Sequence, residues 1–107
     1  MANTFKNAGI AVGNTATTLY TTPGSTTAVV HSLFLSNIDG VSNVTATVEA
    51  SIDGGSTFRH IIKDVDVPAK STLVLDKPIN LEASDVLRCT ASATGDLEAV
   101  ASILEIT

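Results

Sequence analysis

Two histidines, one cysteine and three closely spaced aspartates are the residues of this chain whose types could do chemistry. Asp53, Asp64 and Asp66 offer hard oxygen ligands of the kind calcium takes. A calcium loop also needs Asp-x-Asp-x-Asp-Gly spacing and a distal bidentate Glu; neither is present, and Asp64-Val65-Asp66 reads as the polar face of a strand edge. His31 and His60 lie far apart, in apolar stretches without metal-type spacing, and are expected as partly buried core or interface residues. Serine is plentiful, yet no nucleophile elbow or oxyanion loop accompanies any Ser-His-Asp set. Gly54-Gly55 lacks the lysine and the helix start of a phosphate cradle. Cys89 shares its phase with Leu87, Ala91 and Ala93, which predicts a buried thiol and not a nucleophile. A lone cysteine closes no intramolecular disulfide, so the fold requires no oxidising compartment. No enzyme activity, cofactor or metal is expected from these patterns.

The formal net charge is −5, and the sequence pI is about 4.6. Lys6, Arg59, Lys63, Lys70, Lys77 and Arg88 form no run and have no aromatic platform beside them, so phosphate-driven nucleic-acid binding is not expected. Residues Met1 to Lys6 lack the basic-then-apolar layout of a signal peptide, and no apolar run reaches membrane-spanning length. Neither secretion by that route nor membrane insertion is expected, and cytoplasmic synthesis is the default.

The 107 residues suit one domain. Hydrophobic residues make up 44% but aromatics only 4%, with no Trp, so the core must be built from Val, Ile, Leu and Ala. Such a core leaves a stability margin in the ordinary range of ~5–15 kcal/mol, and association of identical copies is one way to widen it. A homo-oligomer is expected.

Residues that could position a site must sit on strands, because period-two alternation recurs and no helical stripe is present. In Val44 to Ile52 the small and branched apolar residues point one way, and Thr45, Thr47, Glu49 and Ser51 the other. Further strands are read at Ala8 to Val12, Ala16 to Thr21, Thr26 to Ile38, Thr57 to Lys63, Leu73 to Leu75, Val86 to Ala93 and Leu97 to Ile106. Thr26 to Ile38 is apolar on both faces, as at the centre of a sheet covered by a second layer or a neighbouring subunit. At Thr22-Pro23-Gly24-Ser25 the Pro sets one turn torsion and the Gly is expected to take the positive one. Glu82 to Asp85 is long enough for a turn only. Residues 1–7 carry no period and read as an N-terminal arm, loose or bound to a partner, ahead of a domain spanning 8–107. About eight short strands define an all-β, antiparallel β-sandwich or jelly-roll-like domain.

The string Ser51-Ile52-Asp53-Gly54-Gly55-Ser56-Thr57-Phe58 resembles the Asp-box pattern Ser-x-Asp-x-Gly-x-Thr-aromatic of sialidases and other β-proteins. The resemblance implies a structural hairpin. Asp53 can accept from the turn's own amides, the glycines take torsions barred to other residues, and Phe58 is expected to anchor the returning strand in the core. A sialidase needs several such boxes around a propeller and an arginine cluster, which one box in so short a chain excludes.

Over residues 15–107 the chain resembles small virion structural proteins of tailed bacteriophages. The resemblance rests on Tyr20-Thr21-Thr22-Pro23-Gly24-Ser25-Thr26-Thr27-Ala28-Val29-Val30, the long apolar strand after it and the Ser-x-Asp-Gly-Gly hairpin. It continues through Leu81-Glu82-Ala83-Ser84-Asp85-Val86-Leu87-Arg88 and the final Thr/Ser/Ala hairpin. Its motifs are shared by head-decoration (cement) proteins and by tail or head-tail connector parts. The cement type implies a subunit on the capsid surface, partnered by the major capsid protein and gathered as a homotrimer, that bridges neighbouring capsid subunits. Within the arm, Phe5 and Lys6 are the candidate capsid contact, an apolar plug and a cation. A receptor- or glycan-binding module is the remaining class, and it usually recruits exposed Trp or Tyr, of which this chain has only Tyr20.

Overall fold

The computed structural model describes residues 2–107, so Met1 of the expected arm lies outside the described residues. Alternating burial arranges the chain as nine strands: β1 (Asn3–Val12), β2 (Thr17–Thr21), β3 (Thr27–Asn37), β4 (Val44–Ser51), β5 (Arg59–Val67), β6 (Thr72–Leu75), β7 (Ile79–Leu81), β8 (Val86–Ala91) and β9 (Leu97–Ile106). They form two antiparallel sheets packed as a sandwich. The first runs β1-β9-β3-β6 with β7 also paired to β3, and the second runs β2-β8-β4-β5.

Each sheet turns one set of alternate side chains inward. Val44, Ala46 and Val48 of β4 and Leu87, Cys89 and Ala91 of β8 face Leu97, Ala99, Ala101 and Ile103 of β9 across the interior. The largest fully buried side chains are aliphatic, among them Leu33, Leu35, Leu81, Leu87, Leu97 and Ile103. Burying one such side chain contributes about 1.5–3 kcal/mol, so the aliphatic filling carries the fold without aromatic anchors. Cys89 belongs to this filling.

Several expectations change in detail. Strand β1 begins at Asn3, so Asn3 to Asn7 do not form a loose arm: they pair residue for residue with Ile106 to Ser102. Main-chain bonding to one neighbour requires no apolar alternation, which is why a polar stretch can extend a strand. Strand β3 is not apolar on both faces along one register. A bulge between Val30 and Ser32 makes His31 the extra residue and shifts the inward phase from Ala28 and Val30 to Leu33 and Leu35. His31 is therefore exposed, and so is His60 on β5; neither is a core histidine.

In β4 the alternation holds to Val48 and then reverses: Ser51 is fully buried and Ile52 is 72% exposed. Phe58 is only partly buried and lies outside the core. Strand β5 starts at Arg59 and not Thr57, and extends to Val67 past Asp64, which sits at φ +50°. In the turn after β2 it is Ser25, at φ +62°, and not Gly24, that takes the positive torsion. The three-residue β7, following Pro78, is too short to show a period.

Candidate contact site

Phe5 and Lys6 sit near the start of β1, the outermost strand of the first sheet. Phe5 is 79% exposed, and its ring stacks on His31 of β3 with centroids 6.3 Å apart. Lys6 is not a free cation: its Nζ lies 3.5 Å from Glu105 Oε1. Glu105 also accepts a hydrogen bond from the Tyr20 hydroxyl at 2.5 Å. Tyr20 belongs to the second sheet and the buried Glu105 to the first, so this contact fastens the layers beneath β1. Burial, and then the adjacent carboxylate, push the Tyr20 hydroxyl above its usual titration range.

The register places further groups on the same outer face. Val74 of β6, Phe34 of β3, Val100 of β9 and Gly9 of β1 stand side by side in one row across the sheet. Phe34, Val74 and Val100 keep 37%, 47% and 47% of their surface in water, an apolar stripe on a soluble face. Sequence reasoning did not name this row, although the apolar character of Thr26 to Ile38 was its signal. At the end of the stripe a shallow hollow of about 280 Å³ opens beside Gly9, lined also by Ile10, Ala11, Glu98 and Val100.

The outer face of the second sheet is different in kind. Glu49 of β4 stands between Arg88 and His60 in register, with Arg88 Nε 3.0 Å from Glu49 Oε1 and His60 Nε2 3.5 Å from Oε2. The Arg88 guanidinium also lies 3.5 Å above the centroid of the Phe58 ring, and Thr47 exchanges hydrogen bonds with Asp64. These groups satisfy one another across the face, with the Glu49 side chain largely covered by its partners, and Asp64, His60 and Arg88 do not converge on one point. Among the described residues no three of His, Cys, Asp and Glu gather as a metal site would require. Burial raises the Cys89 thiol from 9.0 to about 12, far from the range of a nucleophile.

Between β4 and β5 the Asp-box-like residues form a closed local network. The buried Ser51 hydroxyl donates to Asp53 Oδ1 at 2.7 Å and accepts the Gly55 amide at 2.8 Å. Asp53 Oδ1 accepts the Thr57 amide at 2.9 Å. Gly54 and Gly55 take φ of +80° and +99°, which only glycine adopts without strain. The Thr57 amide, and then the Ser51 hydroxyl, hold the Asp53 carboxyl below its ordinary range. Every partner in this network is local.

No protein-family model and no curated protein sequence matches the chain. Its fold does match solved structures. A chain of the acid-stable capsid of Helicobacter pylori bacteriophage KHP30 aligns over 100% of this chain and 89% of its own length, at 14% identity and a TM-score of 0.59. A chain of the Bacillus endospore appendages, described as disulfide-linked pili, aligns over 99% of this chain and 87% of its own, at 17% identity and a TM-score of 0.57. A pentameric capsid protein from metagenomic phage sequences shares 24% identity over 92% of this chain at a TM-score of 0.48, and this chain spans 59% of that protein's length. At these identities the likeness establishes the fold alone, an all-β two-sheet sandwich.

Proposed function

We propose that this chain is a non-enzymatic structural protein of a phage virion, a decoration (cement) protein. It binds the major capsid protein on the outside of the head, as a homo-oligomer for which the sequence resemblance implies three copies. The observation that carries this reading is the asymmetry of the sandwich: a polar, ion-paired face on one sheet, and on the other an exposed Val74–Phe34–Val100 row that runs to Gly9, with Phe5 further along the same face. Phe5 on that face, and Lys6 beside it on β1 but turned to the opposite side toward Glu105, are the proposed capsid contacts. A cement protein gains its hold from many small contacts made at once, and a rigid sandwich with one apolar face supplies such a contact in every copy. The shared fold of the KHP30 capsid chain supports the reading.

The alternative within the virion is a tail or connector part, which differs in copy number. A pilus subunit, suggested by the Bacillus appendage fold, is disfavoured: Cys89 is the chain's one cysteine and is 1% exposed, so the folded domain offers no thiol for covalent linkage. A glycan-binding module is disfavoured because Tyr20 is already held by Glu105.

The test is to count copies per particle and to titrate Phe5→Ser onto shells lacking the protein. Cement predicts copy numbers comparable with the major capsid protein, and weaker binding by Phe5→Ser with the melting of the free domain unchanged. A few copies at one vertex, or normal saturation by Phe5→Ser, refutes it.

A further inference from the structure

A β-sheet edge exposes unpaired amides and carbonyls, and folded proteins blunt such edges with charge, proline, bulges or brevity. Three of the four edges here are blunted. Strand β5 carries Arg59, Lys63, Asp64 and Asp66, faces two register shifts in β4, and kinks at Asp64. Strand β2 has five residues and a bulge between Thr18 and Tyr20. The far edge of the first sheet is split between the short β6 and β7, with Asp76-Lys77-Pro78 between them.

Strand β1 has none of these devices. It runs ten residues in unbroken register with β9, contains no proline, and its one charge, Lys6, is tied back to Glu105. Ala2 and Thr107 exchange both main-chain bonds, at 3.0 and 2.9 Å. In an antiparallel ladder bonded pairs alternate, so the even residues of β1 bond to β9. Asn3, Phe5, Asn7, Gly9 and Ala11 therefore point their amides and carbonyls at the open edge.

We propose that this edge pairs with the β1 edge of a second copy, antiparallel about a twofold axis through Asn7. Bonding requires odd residues opposite odd ones, and an axis through Asn7 is the one that pairs all five of them, Asn3 with Ala11, Phe5 with Gly9 and Asn7 with itself. The register then sets Phe5 of each copy opposite Gly9 of the other, which its ring reaches by swinging off His31 of its own sheet. Phe5 is the most exposed aromatic side chain of the chain, and Gly9 opens the hollow against Val100. A Cβ built on Gly9 would stand 3.7 Å from Val100 Cγ2, so a ring crossing Gly9 meets Val100 directly. An aromatic laid over a cross-strand glycine is a recognised sheet device. Each copy thus offers its plug to the other's hollow, as a twofold contact requires. Lys6 falls opposite Ala8, so no like charges meet.

The area bounds the strength. Ten residues at ~3.4 Å make an edge of about 34 Å, and at a sheet thickness of ~10 Å the seam buries on the order of 300–400 Å² per copy. That is roughly half the ~800 Å² of a standard interface, which places the free pair among weak, transient contacts and leaves repetition on a surface to strengthen it. The paired sheets would offer a continuous outer face of doubled width with Phe5 near its middle. A threefold oligomer would need a further contact in addition to this one.

Analytical ultracentrifugation of the free protein across the micromolar range tests the pairing without shells, so its outcome is independent of the decoration reading. Wild type should show a monomer–dimer equilibrium, and Asn7→Lys, which sets two lysines face to face on the axis, should weaken it about tenfold or more with unchanged melting. Bonded antiparallel partners have Cα atoms ~5.5 Å apart, within disulfide reach, so oxidised Asn7→Cys should form a covalent dimer while Thr4→Cys should not. A monomer at every concentration, an oligomer that Asn7→Lys leaves intact, or an Asn7→Cys variant that cross-links no better than Thr4→Cys overturns the proposal.

Discussion

Replacing Ser51 by Ala tests whether the β4–β5 turn is held by its own side chains. The Ser51 hydroxyl is fully buried and makes three local contacts: it donates to Asp53 Oδ1 and accepts the amides of Gly55 at 2.8 Å and Asp53 at 3.4 Å. Asp53 and Gly55 are exposed, so water takes over their freed groups in the variant. What is lost is the net value of two good hydrogen bonds at about 1 kcal/mol each, or about 2 kcal/mol in all. For a domain near 100 residues each kcal/mol moves the melting midpoint by ~4–8 °C, so Ser51→Ala should melt roughly 8–16 °C lower. The pH dependence is a second readout. Asp53 titrates lower in the folded chain than its ordinary 3.8, so its contribution is fully present above that value and is lost as pH falls through the folded value. Ser51→Ala removes one of the two main causes of that shift, so its melting deficit should narrow as the solution is acidified below about pH 4. Calorimetric scans of wild type, Ser51→Ala and the exposed control Ser56→Ala, repeated down the acid limb, measure both effects. A shift under ~2 °C at neutral pH, or a deficit that widens in acid, would refute the reasoning.

Further outcomes follow from Glu105 with its two partners and from the buried thiol. Tyr20→Phe leaves the buried Glu105 carboxylate without its hydroxyl donor and should cost about 1–3 kcal/mol in urea unfolding, while Lys6→Ala, removing a half-exposed partner, should cost under ~1 kcal/mol. Cys89, raised from 9.0 to about 12, should resist a thiol reagent until the chain unfolds. The raised value also means that the folded state holds its proton where the unfolded chain has released it. Stability is therefore whole below pH 9 and declines toward 12, and Cys89→Ala should flatten that alkaline decline, read from denaturant midpoints.

The nine-strand sandwich was largely legible because its core obeys period two: Val44, Ala46 and Val48, or Leu97, Ala99, Ala101 and Ile103, cannot face inward together except on strands. The β4–β5 turn was legible because Asp, Gly, Gly and Thr each answer a specific torsion or donor. Other features depend on partners that no local pattern shows. Residues Asn3 to Asn7 extend β1 only because β9 offers them a ladder. The bulge at His31 splits one strand between two phases, and a reader of the chain sees apolar residues on both faces. Ser51 turns inward against its alternation because its hydroxyl is needed under the turn, and Phe58 stays outside because Arg88 covers its ring. The contact row itself is a product of register: Val74, Phe34 and Val100 are remote in sequence and adjacent only once three strands are aligned.

That row bears on why the two outer faces differ at all. A lone domain gains nothing from keeping Phe34, Val74 and Val100 in water, since Thr or Ser there would suit the strands equally and lower the risk of association. The second sheet shows the alternative, with Thr45, Thr47, Glu49, Arg88 and Thr90 on its outer face and its groups paired among themselves. Apolar face and bare edge both belong to the first sheet, and β1 is the strand on which they meet. The edge contact proposed between copies widens the face and takes up only its Gly9 end, so a second apolar row joins it in the same plane. For a shell protein that geometry multiplies weak contacts at no cost to the core, because every residue it uses is already outside it.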